Sequence, residues 1–350
     1  MYTHTPQSSQ PITHHHLAVC GSTNNELIQS LAQQKIDSNQ PYLLTASQQT
    51  AGRGQRARTW QSPIGNIYLS LYHPLSVPIS GLLSLVVGFH LTRLPIIQQI
   101  NRQRRAVNLP PIGVKWANDI GYYAADETSD KSDLEYNNFR KLAGILIEPV
   151  WVDNQITGVV VGVGINIETA PVLCEVTKEG MEYQAVSLTQ IINETEQALI
   201  SQSHIFQTHI AQEAAQEANS ALDTQAQNKT AYYQAGQSIV ALPRPKAEDL
   251  YLAVSATILR AIHQFISFKQ QAYSLPSFIS DYQSVNVLAG RQVQITQQPL
   301  KEANQSALEA AKPVVIQGEV MGLNEDGSLQ LKTGFDEQII KIYTGTIRII

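Results

Sequence analysis

Residues 49–60 hold the densest group of side chains that could bind an anion. The three arginines of this stretch are Arg53, Arg56 and Arg58. Two glycines flank the first arginine, Trp60 ends the stretch, and no acidic residue occurs in it. Glycine lets backbone N–H groups approach a ligand closely, and guanidinium groups match carboxylates and phosphates. Taken alone, the stretch fits both an anion-binding loop and an ordinary exposed basic turn.

Polar residues also mark the ends of several apolar stretches. Residues 22–24 are Ser-Thr-Asn, Lys115 and Asp119 lie where a second run becomes polar, and Lys141 opens a third. Asn166 interrupts a fourth run. Each group has an ordinary interpretation, because Ser and Asn cap helices and a lysine beside a buried strand usually extends to solvent. Since ligands of α/β proteins collect at strand ends, the groups together predict one site.

Apolar periodicity predicts the elements that would position these groups. The predicted strands are residues 17–20, 42–48, 67–72, 113–120, 141–148 and 159–167. One predicted helix follows an N-cap at residue 22, 23 or 24 and contains Leu27, Ile28 and Leu31. The other predicted helices cover residues 82–100, 185–192, 250–268 and 275–282. Pro95 is expected to kink or restart the helix that contains it. The arginine-rich stretch therefore connects two strands.

The remaining segments are predicted to lie outside the regular core. They are a disordered arm at 1–16, a solvated connector at 101–111 with Arg102, Arg104 and Arg105, a charged hairpin tip at 126–140, and a partly helical Gln/Ala-rich insertion after residue 192. Beyond residue 288, short alternating strands and the Asn-Glu-Asp-Gly turn at 324–327 predict a small all-β module.

Composition limits the classes of function. The 350 residues carry a net charge of −5, which disfavours general attraction to nucleic acid or to an anionic membrane. Cys20 and Cys174 suggest neither a disulfide framework nor a metal pair, and a reducing cytoplasm fits. No signal peptide or membrane span is predicted. The histidines at 14–16 could bind a metal, but adjacent histidines in a polar tail are more often incidental.

The polar clusters together resemble those of one family, the biotin–protein ligases, also called biotin–acetyl-CoA-carboxylase ligases. The matching segments are Ser-Thr-Asn at 22–24, Gln-Thr-Ala-Gly-Arg-Gly at 49–54, Lys-Trp-Ala-Asn-Asp at 115–119, Lys-Leu-Ala-Gly-Ile-Leu-Ile-Glu at 141–148 and Gly-Val-Gly-Ile-Asn at 162–166. They resemble the family's biotin-contacting turn, biotin and adenylate loop, Lys-Trp-Pro-Asn-Asp motif, catalytic-lysine strand and Gly-x-Gly-Ile-Asn segment. Order and spacing agree over residues 17–191.

The resemblance implies an α/β (α+β) catalytic domain with a mixed sheet resembling class II aminoacyl-tRNA synthetases, followed by a small SH3-like β-barrel. The catalytic domain would span residues 17–285 with an insertion at 193–245, and the barrel residues 286–350. It also implies attack of the biotin carboxylate on ATP, which forms biotinyl-5′-AMP. A lysine of a biotin carboxyl carrier domain, of acetyl-CoA carboxylase or a related carboxylase, would then accept the biotin.

The resemblance also assigns roles to residues. The catalytic group would be Lys141, Arg53, Asp119 and Lys115. The biotin-binding group would be Ser22, Thr23, Asn24, Gln49, Gly52, Arg53, Gly54, Gln55, Lys141 and Gly144. The adenylate-binding group would be Arg53, Arg56, Arg58, Trp60, Asn118, Lys141 and Asn166. Asp119 would either hold Mg²⁺ or act on the incoming lysine.

Three residues depart from the family pattern. Gln55 stands where many members have arginine, Ala57 replaces a frequent glycine, and Ala117 replaces proline. The loss of charge at Gln55 is expected to loosen retention of the adenylate. Only residues 1–16 precede the first predicted strand, so the helix-turn-helix domain of some members, and a repressor role, are not expected. A monomer or homodimer in the cytoplasm, without DNA, fits these observations.

Two other classes of protein remain open from the sequence. A lipoate or octanoate transferase would share the broad fold, although the Gly-Arg-Gly loop and the Lys-Leu-Ala-Gly strand favour biotin. A non-catalytic nucleic-acid-binding module could use Arg53, Arg56 and Arg58, but the acidic net charge disfavours it.

Overall fold

Strands of both orientations form the main sheet of the molecule. A computed structural model describes residues 12–124, 138–152, 155–172, 183–219, 241–270, 274–297, 312–334 and 338–350. The strands of the sheet are β1 (Thr13–Cys20), β2 (Tyr42–Gln49), β3 (Ile67–Pro74), β4 (Gly113–Lys115), β5 (Asp119–Tyr123), β6 (Phe139–Val152), β7 (Gln155–Ile165) and β8 (Gln184–Ala185). Their order is β1-β2-β3-β7-β6-β5-β4, with β8 paired to β6. The pairs β1–β2 and β6–β8 are parallel and the other pairs are antiparallel, so the predicted mixed sheet is confirmed.

Helices cover both faces of this sheet. They are α1 (Thr23–Ala32), α2 (Leu82–Leu91), α3 (Pro95–Ala106), α4 (Leu188–Asn219), α5 (Ala247–Lys269) and α6 (Leu275–Gln283). Leu43 and Val161 point into the larger core, to which α2, α3 and α5 contribute. Their neighbours Leu44 and Val160 pack with Leu27 of α1 in a smaller core. The alternation of side chains along each strand therefore builds two cores from one sheet.

Helix α5 is apolar enough to pass for a membrane span. It has 23 residues and a mean hydropathy of 1.2 in its most apolar window, 44% of which is buried. Val254, Ile258, Ile262 and Phe265 are fully buried in the larger core. The helix packs against α2 and β3, as the core helix of a globular domain does.

A second sheet follows in the C-terminal part of the chain. Its strands are β9 (Gln292–Gln297), β10 (Val314–Leu323), β11 (Leu329–Thr333), β12 (Ile339–Ile342) and β13 (Thr346–Ile349), in the order β12-β11-β10-β9-β13. All its pairs are antiparallel, which confirms the predicted all-β module. Closure of this sheet into an SH3-like barrel stays a prediction.

The β10–β11 turn joins the second sheet to the first. Trp116 Nε1 donates a hydrogen bond to the carbonyl oxygen of Gly327 at 3.0 Å. Gly327 has a φ of +84°, and a Cβ there would lie 2.8 Å from the backbone nitrogen of Leu82. Glycine is needed because both the positive φ and the close approach exclude a larger residue.

The structure corrects the ends of several predicted elements. Strand β1 begins at Thr13, so the last residues of the predicted disordered arm, including the histidines at 14–16, belong to the sheet. The predicted strand 113–120 is two strands, β4 and β5, joined by a turn. The charged segment 126–140 lies mostly outside the described residues, and β6 begins within it at Phe139.

The helical predictions need two corrections. Pro95 is the first residue of α3, so the stretch 82–100 forms two helices that are bent by 71° at the break. Helix α3 also continues to Ala106 through the predicted solvated connector, where Arg104 is completely buried. The predicted helix at 185–192 begins at Leu188 and extends as α4 to Asn219, inside the predicted insertion.

Candidate functional site

The arginine-rich loop, residues 50–60, projects from the end of β2, and we call it the tongue. Its base is held by the turn between β1 and α1. Thr50 N donates to the carbonyl of Cys20 at 2.9 Å, and Ala51 N to that of Gly21 at 2.8 Å. The tongue is therefore fixed where it leaves the sheet.

The tongue folds back on itself as a short hairpin. Gly54 N donates to the carbonyl of Arg58 at 2.7 Å, and Trp60 N to that of Gly52 at 2.8 Å. A 3₁₀ turn at Gln55–Ala57 forms its tip. A Cβ at Gly52 would lie 2.4 Å from the carbonyl oxygen of Trp60, so only glycine permits this hairpin.

Trp60 lies on a glycine surface of β6 and β7. A Cβ at Gly164 would come within 2.6 Å of the indole ring, and one at Gly144 within 3.0 Å. Glycines inside a strand allow the close approach of another group, and here that group is the indole of Trp60. The indole Nε1 is buried and has no hydrogen-bond partner in the part of the chain that the structure describes.

Lys141 forms an ion pair with Asp119, with 2.7 Å between Nζ and Oδ1. The strand register explains how Lys141 reaches the site. Gly144 pairs with Asp119, whereas Lys141 pairs with Gly121, so β6 has one extra residue at Leu142. Such a bulge changes the face to which a side chain points. It turns Lys141 to the same side as Gly144, although an odd separation would place them on opposite faces of a regular strand.

Lys115 lies beside this pair. Its ammonium nitrogen is 4.6 Å from the ring centroid of Phe139. Burial lowers the pKa of Lys115 from 10.5 to about 8. The Asp119 carboxylate opposes this shift in the pKa, whereas the charges of Lys141 and Arg58 add to it.

The turn at residues 22–24 belongs to a hydrogen-bonded chain of side chains. Ser22 is the N-cap residue of α1, but its side chain makes no capping hydrogen bond. Thr23 N and Oγ1 both donate to Oε1 of Gln49, at 2.9 and 3.2 Å. Ser70 Oγ donates to Asn24 Oδ1 at 2.5 Å and lies 2.8 Å from Thr23 Oγ1. The turn thus forms a polar wall of the site, and the side chain of Ser22 does not cap helix α1.

Two arginines of the tongue contact different sheet regions of the molecule. Arg53 Nη2 lies 2.7 Å from both carboxylate oxygens of Glu148 on β6. Arg56 donates a hydrogen bond to the hydroxyl of Thr344, which belongs to the C-terminal sheet region. The tongue therefore bridges the two sheets over the space between them.

The cavity between the two sheets has a volume of about 380 Å³. Its lining includes all predicted site residues except Gly52 and Asn166. Among the residues that the structure describes, the ionisable side chains that line it, apart from tyrosines, are Arg53, Arg56, Arg58, Lys115, Lys141 and Asp119. With five basic groups and one acidic group, the cavity favours an anionic ligand.

Asn166 and Asn118 are bound to the backbone at the edge of the site. Asn166 Nδ2 donates to the carbonyl of Val186 at 3.3 Å, and its buried Oδ1 has no hydrogen-bond partner among the described residues. Asn118 Nδ2 donates to the carbonyl of Ile145 at 2.9 Å. The structure brings Asn118 to the cavity, whereas Asn166 lies behind its lining.

Three groups at the site were not predicted. Tyr183 places its ring centroid 4.6 Å from Nζ of Lys141, and Tyr343 and Thr344 supply a wall from the C-terminal sheet region. Glu148, the partner of Arg53, ends the segment 141–148 and could have been suspected from it. Tyr183 and the 343–344 segment carried no local signal.

Comparison with known proteins agrees with this site. Residues 18–166 match the family model of the biotin/lipoate A/B protein ligases. The bifunctional ligase/repressor BirA of Salmonella typhimurium is 34% identical over 160 residues, which are 41% of this chain and 42% of that protein. Its Escherichia coli counterpart is 32% identical over 167 residues, 47% of this chain and 43% of that protein. The chain thus matches less than half the length of these relatives.

The fold has solved counterparts along almost the whole chain. A biotin protein ligase from Aquifex aeolicus in complex with biotin and ATP superposes with a TM-score of 0.54 at 19% identity, covering 97% of this chain and 98% of that one. The matched segment is therefore similar to the biotin/lipoate A/B protein ligases, and the chain shares the fold of a biotin protein ligase.

Proposed function

We propose that this protein attaches biotin to a lysine of a carrier domain, with ATP as the activating substrate and biotinyl-5′-AMP as the intermediate. The observation that carries the proposal is the cavity, in which Arg53, Lys115 and Lys141 converge below the tongue. The first step brings two anions together, and positive charge is needed where they repel each other.

In the first step a carboxylate oxygen of biotin attacks the α-phosphorus of ATP. The bond from that phosphorus to the bridging oxygen breaks, and pyrophosphate leaves. All four of Arg53, Arg56, Arg58 and Lys141 line the cavity. In the proposal, Lys141 and Arg53 hold the carboxylate against the phosphate, and Arg56 and Arg58 bind the triphosphate. Thr23, Gln49 and their hydrogen-bonded neighbours would offer polar partners to the ureido ring.

In the second step the amine of the carrier lysine attacks the acyl carbon. The new carbon–nitrogen bond forms as the bond to the phosphate oxygen breaks, and AMP leaves with the displaced electron pair. The attacking amine loses a proton. Asp119 and Lys115 are the groups at the site that can influence this proton, because one is a carboxylate and the other has a pKa near 8.

Mg²⁺ would be held at Asp119 together with phosphate oxygens of the nucleotide. The donor set fits this arrangement only in part, since Asp119 already pairs with Lys141 and is the one carboxylate that the described residues bring to the cavity lining. A cation that keeps several water and phosphate ligands suits such a site. Bound there, the ion would neutralise phosphate charge.

We also propose the acceptor protein and the cellular compartment. The acceptor is a biotin carboxyl carrier domain of acetyl-CoA carboxylase or a related carboxylase, in the cytoplasm. No DNA-binding role is included, because Arg53 and Arg56 point into a cavity and pair with Glu148 and Thr344 instead of forming an open basic face. The C-terminal sheet is proposed to be an SH3-like barrel, and the protein a monomer or a homodimer.

Transfer of labelled biotin to an isolated carrier domain tests the function. Wild type should transfer label only with ATP, and Lys141→Ala should not. Lys35→Ala, which removes an exposed lysine outside the cavity lining, is the matched control and should transfer normally. Folded wild type that fails to transfer biotin would disprove the assignment. Because the matched family also includes lipoate ligases, octanoate and lipoate should be supplied in parallel, and preferred transfer of either would favour that alternative.

A further inference from the structure

Glu148 binds both the tongue and helix α1 without lining the cavity. Its carboxylate accepts from Arg53 Nη2 at 2.7 Å on each oxygen. Oε2 also accepts a hydrogen bond from Asn24 Nδ2 at 2.8 Å. Glu148 therefore contacts two residues, Arg53 and Asn24, that do line the cavity.

The surrounding side chains keep this carboxylate in place. Asn24 is only 4% exposed, and its Oδ1 accepts from Ser70. A Cβ at position 162 would lie 2.2 Å from that Oδ1, so Gly162 provides the space for Asn24. The carboxylate is thus attached to the rigid sheet on one side and to a buried amide on the other.

Arg53 keeps binding capacity while it is held. A guanidinium has five N–H donors, and the contacts with Glu148 use those on Nη2. The remaining donors can meet a ligand carboxylate from the cavity side. Fixing one edge of the fork lowers the entropic cost of using the other edges.

We propose that Glu148 is a positioning residue, a latch that holds the tongue closed through Arg53 and thereby slows escape of the bound acyl-adenylate. For the identity of that ligand the proposal rests on the function proposed above. Lys141 and Glu148 belong to the same strand, so β6 carries both the lysine proposed to contact the reacting groups and the residue that holds the tongue. In the opposite role, Glu148 would compete with the ligand for Arg53, and removing the Glu148 carboxylate would strengthen ligand binding.

Proteolysis of the ligand-free protein tests the latch without reference to function. Trypsin can cut after Arg56 and Arg58 only when the tongue opens. The Arg53–Glu148 pair is partly exposed, with side-chain exposures of 38% and 23%. Glu148→Gln should therefore speed these cuts about fivefold. Glu248→Gln, the same change at an exposed site in the first turn of α5, should leave the rate unchanged.

Release of ready-made biotinyl-5′-AMP tests the effect on the ligand. Glu148→Gln should raise the release rate about fivefold, because escape requires the tongue to open. Glu148→Asp keeps the charge, and the flexible Arg53 side chain can follow it, so its release rate should lie between those of Glu148→Gln and wild type. In an Arg53→Gln background, Glu148→Gln should have less than about a twofold effect.

The outcomes separate the two proposals. Equal tryptic rates, slower release, or the same effect of Glu148→Gln with and without Arg53 would each overturn the latch. If wild type does not bind biotinyl-5′-AMP, the proposed function fails, whereas the tryptic rates still decide whether Glu148 holds the tongue.

Discussion

Two buried cations, Arg104 and Lys141, are held in ion pairs of nearly the same length. Arg104 Nη1 lies 2.8 Å from Oε2 of Glu194, and Lys141 Nζ lies 2.7 Å from Oδ1 of Asp119. Arg104 is 0% exposed and Lys141 is 9% exposed. Burial and an acidic partner therefore do not distinguish a structural cation from a reactive one.

Their surroundings do distinguish them. Arg104 Nε donates to the carbonyl of Pro110 at 2.7 Å, and its guanidinium lies 4.1 Å from the ring centroid of Tyr122. Glu194 also accepts from the hydroxyl of Tyr122 at 2.7 Å. This network connects α3, α4 and β5, away from the cavity lining. Its geometry is suited to holding three elements together.

Lys141 instead lies among further cations at the edge of an open space. Lys115 is close enough to influence the same carboxylate, and the rings of Trp60 and Tyr183 flank the ammonium group. An excess of positive charge in a cavity costs folding free energy unless an anion binds there. The difference teaches that surplus charge facing a cavity, more than burial, distinguishes the lysine proposed to act at the site from a structural cation.

The largest expected effect is the loss of chemistry at Lys141. Lys141→Met should lower the rate of biotin-dependent ATP–pyrophosphate exchange by about 10²–10³-fold, the usual cost of removing one donor to a developing charge. The melting temperature should change little, because a neutral side chain removes surplus charge from the cavity. A loss of activity that simply follows unfolding would place Lys141 with Arg104 as a structural cation.

Arg104→Ala should have the converse result. Removing one partner of a buried pair costs about 3 kcal/mol here, at the lower end of the usual range because Glu194 is partly exposed. Urea denaturation measures this loss. The exposed neighbour Arg105 is the matched control, and Arg105→Ala should cost under about 0.5 kcal/mol. Exchange activity per folded molecule should stay near wild type; a specific fall in it would connect the α3–α4–β5 network to the site.

The same two residues show how far sequence reasoning reaches. Lys141 could be assigned because its neighbours in the chain form a recognisable segment and because a strand places them on a sheet. Arg104 was expected in a solvated connector. Its partner Glu194 is 90 positions away in the chain, and no local sequence pattern predicts the contact. The link between Arg56 and Thr344 spans 288 positions and was missed for the same reason. Local chemistry is readable from the sequence, whereas partners supplied by tertiary packing are not.

Lys115 provides a smaller test, because its charge titrates in an accessible range. Its pKa is lowered to about 8, so the ammonium charge is present at pH 7 and mostly lost at pH 9. ATP should bind about fivefold more weakly at pH 9 in wild type, measured by calorimetry. Lys115→Arg keeps its charge and should show a flatter profile. Parallel profiles for the two proteins would mean that Lys115 does not face the phosphates.

The shifted pKa of Lys115 has the opposite consequence for stability. The unfolded lysine keeps its proton up to its ordinary pKa of 10.5, whereas the folded lysine loses it near pH 8. The unfolded state therefore binds more protons between these values, and the Lys115 contribution to the free energy of unfolding rises with pH across that window. Lys115→Arg should remove this rise from the pH dependence of urea denaturation.

The smallest expected effect concerns Gln55 at the tip of the tongue, where the family pattern often has arginine. Gln55 is exposed and lines the cavity beside Arg56, so a charge there would act on a bound anion through solvent. Gln55→Arg should slow the release of biotinyl-5′-AMP about two- to threefold, and Gln55→Glu should speed it by a similar factor. High salt should reduce both differences, because exposed charges are screened. Release should be slowest with Arg at position 55, intermediate with Gln and fastest with Glu. Any other order would show that the tongue retains its ligand through its contacts with Glu148 and Thr344, and not through the charge of its tip.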